Sequence, residues 1–306
     1  MNLPQKEQII ISGDSHIYVV EYENPGKPTM LLVHGFPDCH KTWSKQIEEF
    51  KKDYHVIALD TRGVGKSNWY GSNEGFVLEE VIKDFAAVIT TILGEHGKVH
   101  LVGHDWGSAL CWRFISNPEY AKYILSYTSM SAPDPYIFAF WFRDMWRTKK
   151  MKPLFNQFRK SWYIYLFNFL PYPAVDFVFN RNILLRELIR FHGMERDDPY
   201  LYRDFKGDGY FQIGLYKENF RSIINNMEEK EPPFMPDIPI HVIIFENDGA
   251  LEKEACSFCG TIYPQIEFSS LPIKHFGLHS HAHLLNPIIN RFIQNNVSID
   301  AELLVE

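Results

Sequence analysis

The chain lacks most of the features that would place it outside the globular classes. Its 306 residues include only four cysteines (39, 111, 256 and 259), too few for a disulfide framework in a chain of this length. Cys256-Ser-Phe-Cys259 has no second CxxC and no thioredoxin-like setting, so it reads as two reduced thiols rather than a redox or zinc half-site. The start, MNLPQKEQII, has no basic segment followed by an apolar one, so no signal peptide is expected and the location is expected to be cytoplasmic. No run approaches the roughly 20 uninterrupted apolar residues of a spanning helix. The nearest, SWYIYLFNFLPYPAVDFVF (161–179), contains two prolines, Asn168 and Asp176, and reads as amphipathic cover over a pocket rather than an integral membrane segment. Excess positive charge is missing too: the net charge of −7 argues against a general affinity for nucleic acid. The one basic stretch, RDMWRTKKMK (143–152), reads as a solvated helix face rather than a partner patch. Low-complexity tracts and internal repeats are absent.

Aromatic residues, by contrast, are plentiful. The 24 Phe, 16 Tyr and 7 Trp suggest a large apolar cavity or many packed helices. Short β-rich runs, TMLLVHG (29–35), YHVIALD (54–60), KVHLVGHD (98–105) and YILSYTS (123–129), alternate with helical patterns at 41–53 and 76–93. That alternation predicts a parallel sheet with crossover helices. HIYVVEYE (16–23) alternates more strongly and suits an antiparallel edge hairpin. From Pro133 about 100 residues carry an aromatic helical pattern, before strands resume with IHVIIFEND (240–248) and IEFSSLP (266–272) and a helix closes the chain near 281–295. The predicted organisation is an α/β core at 1–132 and 237–306, interrupted by a helical insertion at 133–236.

LVGHDWGSAL (101–110) runs off a strand into a helix, with Gly103 and Gly107 each two residues from Asp105. Small residues there relieve crowding where the backbone turns sharply and exposes a nucleophile over the sheet edge. Taken alone, the frame also fits an Asp capping a helix. HGFPD (34–38) follows the strand TMLLV, where such a core places one oxyanion donor, the Phe36 N–H; the other would be the Trp106 N–H. Phe36–Pro37 is a candidate cis peptide. FENDGAL (245–251) puts Asp248 past a late strand, and PIKHFGLHSH (272–281) puts His275 past the next. Nucleophile, acid and base thus follow in the order Asp105, Asp248, His275, each where ligands of an open α/β sheet bind.

HGFPD, DTRGVGKS (60–67), GHDWGSA (103–109), the Asp248 segment and His275-Phe276 together resemble the α/β-hydrolase fold and, within it, the soluble epoxide hydrolases. DTRGVGKS is no phosphate loop, because Asp60 stands where that motif needs glycine. The resemblance implies an aspartate nucleophile, a mostly parallel sheet with an inserted helical cap, and two cap tyrosines donating to the epoxide oxygen. SWYIYLFN (161–168) selects Tyr163, four residues before Phe167, with Tyr165 as competitor; DGYFQIGLYKENF (208–220) selects Tyr216, ahead of Lys217. The implied partners are a small apolar epoxide and water, bound in part by Phe36 and Trp106, in a monomer or homodimer. The chain departs from the family in Glu246, where glycine is common, and in GLHSHAHLLNP after the base, where an acidic residue and proline are common.

A carboxylate nucleophile has a chemical rationale. A serine alkoxide opening an epoxide would leave an ether, whereas a carboxylate leaves an ester that water can cleave. A hydrolytic haloalkane or haloacid dehalogenase would use the same aspartate, ester and histidine, and a non-catalytic interaction protein could share the fold. Trp106 would suit halide binding, but Phe36 stands where dehalogenases often carry asparagine. His279, His281 and His283 alternate in a way a helix entry would not aim at one ion. No metal or organic cofactor is expected. His34 and His104 read as structural groups hydrogen-bonding around the turns.

Overall fold

In the computed structural model, residues 5–169, 171, 182–194, 208–225, 227–229 and 231–303 are described. The frame is a nine-stranded sheet with main path β1-β2-β4-β3-β6-β7-β8-β9; β5 (Asn68–Trp69) pairs β2 off that path. β1 (Gln5–Ser12) and β2 (Ser15–Tyr22) form an antiparallel hairpin, and β2 runs antiparallel to β4 (His55–Leu59). All the remaining pairings, through β3 (Thr29–Val33), β6 (Val99–His104), β7 (Ile124–Met130), β8 (Ile240–Phe245) and β9 (Glu267–Leu271), are parallel.

The antiparallel edge hairpin expected of 16–23 is this one. Its inner strand, β2, is buried over nearly its whole length, and its outer strand, β1, carries the exposed Gln5, Lys6 and Glu7. Polar side chains at an edge discourage pairing with other chains.

The strands alternate faces as the period of two requires. Leu31 and Val33 join Ile57, Leu59, Leu101 and Val242 on one side, while Met30 and Leu32 join Val56, Ala58, Val102 and Ile243 on the other. The first side is covered by α2 (Leu78–Leu93), through Val81, Phe85 and Val88, and by α3 (Trp106–Ile115), through Leu110 and Phe114. Apolar residues at four- and three-residue spacing give α2 one continuous buried stripe. The second side is covered by α1 (Ser44–Phe50) and the final helix Ala282–Leu303, through Ile47, Phe50, Leu285, Ile289 and Phe292.

Between β7 and β8 the described elements are helices: Pro135–Arg147, Met151–Lys160, Trp162–Phe169, Asn182–Phe191 and Asp208–Asn225. The first begins where sequence chemistry favours it. Asp134 Oδ1 accepts from the N–H groups of Tyr136 and Ile137 at 2.6 and 3.1 Å, and Pro135 takes the first helical position, where its missing N–H costs nothing. Part of the 161–179 stretch lies outside the described residues. Among the described residues no helix is long and apolar enough to cross a membrane.

Candidate active site

β6 ends at His104, and the next residue, Asp105, takes φ +53°, a conformation uncommon for a residue with a Cβ. Hydrogen bonds on both sides hold it: its N–H donates to the Met130 carbonyl at 3.0 Å, and its own carbonyl accepts from the Ala109 N–H at 3.0 Å. Such a turn needs open backbone around it. A Cβ on Gly107 would stand 2.3 Å from the Val33 carbonyl oxygen, and one on Gly103 would stand 2.8 Å from Ser108 Cα. A third glycine, Gly35, faces the turn from the HGFP loop, where a Cβ would come 2.5 Å from Asp105 Oδ1. The exposure of Asp105 at the sheet edge therefore rests on three close approaches from two loops.

The Phe36–Pro37 peptide is cis, and the Phe36 N–H donates to Asp105 Oδ1 at 2.7 Å. Trp106 opens α3, so its N–H has no acceptor within its own helix, and its indole lies beside Asp105 in the cavity wall. Asp105 Oδ2 faces His275 Nε2 at 3.4 Å, and His275 Nδ1 meets Asp248 Oδ2 at 2.9 Å. The other oxygen of Asp248 accepts the Ala250 and Leu251 N–H groups at 2.7 and 3.0 Å. Asp105, His275 and Asp248 are all buried. Sequence segments more than 140 residues apart converge here because β6, β8 and β9 are parallel and their C-terminal ends share one edge.

The electrostatics follow from that burial. Desolvation works against charge on His275, but the Asp248 carboxylate and the contacts with both carboxylates outweigh it and hold its pKa above the ordinary histidine value. Desolvation likewise works against charge on Asp248, and the facing His275 and two backbone N–H groups bring its pKa below the ordinary carboxylate value. His104, fully enclosed, is depressed to about 3 and stays neutral. Its Nε2 lies 2.9 Å from the His275 carbonyl, so that nitrogen carries the proton and anchors the backbone of the loop. His34 braces the other loop: Nδ1 donates to the Gly35 carbonyl at 2.9 Å, while Nε2 accepts from the Thr61 N–H at 3.0 Å.

The inserted helices bring Tyr163 and Tyr216 to the same place. Tyr216 packs edge-on against Trp106 at 4.8 Å and against Phe36 at 5.4 Å, and Tyr163 lies 6.1 Å from Tyr216, with Phe167 5.6 Å from Tyr163. The Tyr216 ring thus lies between the rings of Trp106 and Tyr163, edge-on to both. Burial, and after it the neighbouring charges, raise both phenol pKa values well above normal, so both stay protonated. Tyr165 also lines the cavity but packs instead against Phe158 and Phe220, at 6.1 and 6.4 Å.

These groups open onto a cavity of about 420 Å³ whose remaining walls are almost wholly apolar, among them Phe138, Phe142, Ile164 and Ile223. His279, His281 and His283 lie apart from it: His279 Nε2 meets Ser44 Oγ at 2.9 Å and His281 Nδ1 meets Ser280 Oγ at 2.8 Å. A different trio, Cys39, His40 and Asp60, has metal-ligating atoms within 4.8 Å of one another. Asp60 there already serves the loop, accepting from the His40 N–H at 2.7 Å and the Lys66 N–H at 2.9 Å.

Several supports gave no sign in the sequence. Gln212 Nε2 donates to the Gly35 and Asp38 carbonyls at 3.3 and 3.2 Å, and Gln157 ties the helix Met151–Lys160 to the Asp248 loop through the Ala250 carbonyl and the Glu252 N–H. His192, buried and depressed to about 4 by burial and by nearby His275, packs against Gly249. A glutamine on a helix, or a histidine just past the end of one, carries no pattern that marks such a contact.

A model of the alpha/beta hydrolase fold matches residues 28–173. A Mycobacterium tuberculosis protein named "Probable oxidoreductase EphD" is 26% identical over 299 residues, 94% of this chain and 49% of its own. Mouse "Epoxide hydrolase 4" is 33% identical over 177 residues, 58% of this chain and 45% of its own. The chain thus spans about half the length of these curated relatives. A Bacillus megaterium epoxide hydrolase crystallised with an inhibitor superposes with a TM-score of 0.75 at 23% identity, over 94% of this chain and 100% of that one. Sheet order, turn and cover agree with that likeness: the chain has the α/β-hydrolase fold with inserted helices.

Proposed function

We propose that the chain is an epoxide hydrolase that opens an epoxide to a vicinal diol through an ester on Asp105. The observation that carries this reading is the division of the Asp105 carboxylate between two partners. Phe36 N–H holds Oδ1 at 2.7 Å, and Oδ2 faces His275 at 3.4 Å. Oδ2 attacks the epoxide carbon. Oδ1 then becomes the ester carbonyl oxygen, already seated on the donor that stabilises the tetrahedral oxyanion, with the Trp106 N–H as second donor. Attack requires the breaking C–O bond in line with the nucleophile, so proton donors belong opposite Asp105. Tyr163 and Tyr216, kept protonated, fill that role.

His275 serves the second step, and the site supplies a way to switch it. Before attack its proton is held by two carboxylates. Esterification removes the charge of Asp105 and leaves only Asp248, so the pKa of His275 falls at the stage where it must take a proton from water. Residues 1–132 and 237–306 then supply nucleophile, base and oxyanion donors, and the cap, 133–236, supplies the tyrosines and the apolar walls. The walls suit a small apolar epoxide, and four buried cysteines outside any disulfide suit a reducing compartment.

One observation bears on the dehalogenase alternative. The Trp106 indole, which would bind halide, is packed edge-on against Tyr216 at 4.8 Å. One turnover in heavy-oxygen water tests the ester: label should appear first in Asp105 and not in the diol. A single-turnover diol carrying solvent label would mean that water attacks the epoxide directly. A styrene-type epoxide and a bromoalkane offered in parallel should yield diol and no halide; halide alone would establish the dehalogenase.

A further inference from the structure

The cap carries a surface that catalysis does not use. Of the fifteen large apolar side chains exposed among the described residues, seven lie between Trp146 and Phe169. Their spacing places them on common faces. In the helix Met151–Lys160, the exposed residues Met151, Phe155 and Phe158 are four and three positions apart, while Leu154 and Gln157 turn inward. In the next helix, Trp162 and Leu166 are again four apart, with Tyr163 and Phe167 on the side facing the site. Phe155 is 69% exposed, Trp146 62% and Trp162 56%. Soluble surfaces scatter such residues singly, and a cluster marks an interaction site.

Charge identifies the partner. Between Arg143 and Lys160 stand seven basic residues against one acidic, Asp144, a local charge of +6 in a chain of net −7. Arg143 is committed to the carbonyls of Met227 and Glu229, and Lys160 to Glu252. Arg147, Lys149, Lys150, Lys152 and Arg159 are exposed, and Lys152 and Arg159 sit next to the apolar face of their helix. A second copy docked face to face would bring two such charges together, which opposes self-association. A nucleic acid would match the charge but leave Met151, Phe155 and Leu166 against hydrated phosphates. An anionic bilayer surface satisfies both features, taking aromatic and aliphatic side chains at the acyl boundary and Lys and Arg among the headgroups.

We propose that this face, from Trp146 to Leu166, docks on an anionic lipid surface without spanning it. The basic residues of 143–152 are exposed, as the solvated-face reading has it; the proposal goes beyond that reading because the sequence segment does not show the apolar stripe that folds up beside them. The cavity bears on the same face. Phe158 and Ile224 line it and are also 44% and 45% exposed, which puts its mouth beside the stripe. An apolar substrate dissolved in the bilayer would enter without crossing water. That last step rests on the epoxide reading; the docking itself does not.

Flotation of the full chain with vesicles of phosphatidylcholine, with and without phosphatidylserine, tests it. Binding is expected only with phosphatidylserine, weakened by salt and accompanied by a blue shift in Trp emission from Trp146 and Trp162. Each charge removed from Lys149, Lys150 and Lys152 by substitution with Gln should weaken binding about fivefold, and the triple variant about a hundredfold, with melting temperature unchanged. Phe155→Ser with Trp162→Ser should weaken it by at least about tenfold. Absence of binding, equal binding to phosphatidylcholine alone, or full binding by the triple variant would overturn the proposal. So would a dimer in sedimentation equilibrium that Phe155→Ser and Trp162→Ser dissociate, because a second copy would then own the face. Diol formation from a water-dissolved epoxide, measured on the same variants, should be unchanged, so that loss of docking and loss of the epoxide reading are told apart.

Discussion

Around Asp105 the crowding is in the backbone, whereas in the helices above it the crowding is among side chains. A Cβ at Gly107 would stand 2.3 and 2.4 Å from the carbonyl oxygens of Val33 and His34, atoms fixed by the sheet. A Cβ at Gly214, in the helix Asp208–Asn225, would meet the ring of Phe76 at 2.7 Å, and a ring has room to rotate. The contrast explains why the turn at Asp105 has a recognisable local sequence while the cover does not. Where backbone meets backbone, only glycine fits; where side chain meets side chain, many combinations pack.

The proposed roles divide along the same line, and removing the base should have the largest effect. His275→Gln should slow turnover by roughly 10²–10⁴ while leaving attack by Asp105 intact, so that intact-protein mass spectrometry shows a substrate-sized adduct. Undiminished turnover without an adduct would place the base elsewhere. The cap tyrosines come next. Tyr163→Phe and Tyr216→Phe should each slow formation of the ester by about 10² or more, read as pre-steady-state quenching of Trp fluorescence. Hydrolysis of a preformed ester should change far less, since no epoxide oxygen leaves in that step. Wild-type ester formation by both variants would remove the cap from the chemistry.

The glycines sharpen the comparison in stability rather than rate. Gly107→Ala should cost several kcal/mol, about the penalty of an overpacked core site or more, and should lower activity with it. Gly214→Ala should cost less, because alanine gains about 1 kcal/mol in helix propensity against the displaced ring. Equal losses in chemical denaturation would show that the cover is as unyielding as the turn.

The remaining effect needs no substitution, only acid. His100, His192 and His241 are depressed to about 4 and His104 to about 3, in each case first by burial. An unfolded histidine takes a proton near pH 6.5 that these native sites refuse until far lower. Stability should therefore fall as pH drops from about 6.5 towards 4, each histidine adding up to about 1.4 kcal/mol per pH unit. His275 has the opposite sign: its raised pKa contributes stability that is full below about 6.5 and lost as pH climbs through the folded value. Thermal melts should show the wild type losing its advantage over His275→Gln on the alkaline side. An advantage that grows there would mean His275 is held neutral.

The strands, their parallel order and the turn at Asp105 were legible because each depends on a short local pattern: β-branched runs, alternating helical stretches, and glycines two residues either side of Asp105. The antiparallel hairpin at the edge was legible in the same way. That β2 alternates in sequence yet is buried on both faces is decided by what packs on the sheet, not by its own pattern. By itself the amino-acid order determined where the chain turns and which residue types stand at the strand ends, because turns and strands answer to neighbours a few positions away. Tertiary structure alone decided the rest. It set the His104 anchor on the His275 loop, the Gln157 and Gln212 ties between cover and core, the partnering of Tyr163 with Tyr216 apart from Tyr165, and the stripe from Trp146 to Leu166. Each of these joins residues that are distant in sequence or carry no local signature, and their energies exist only once the folded backbone has brought them within contact distance.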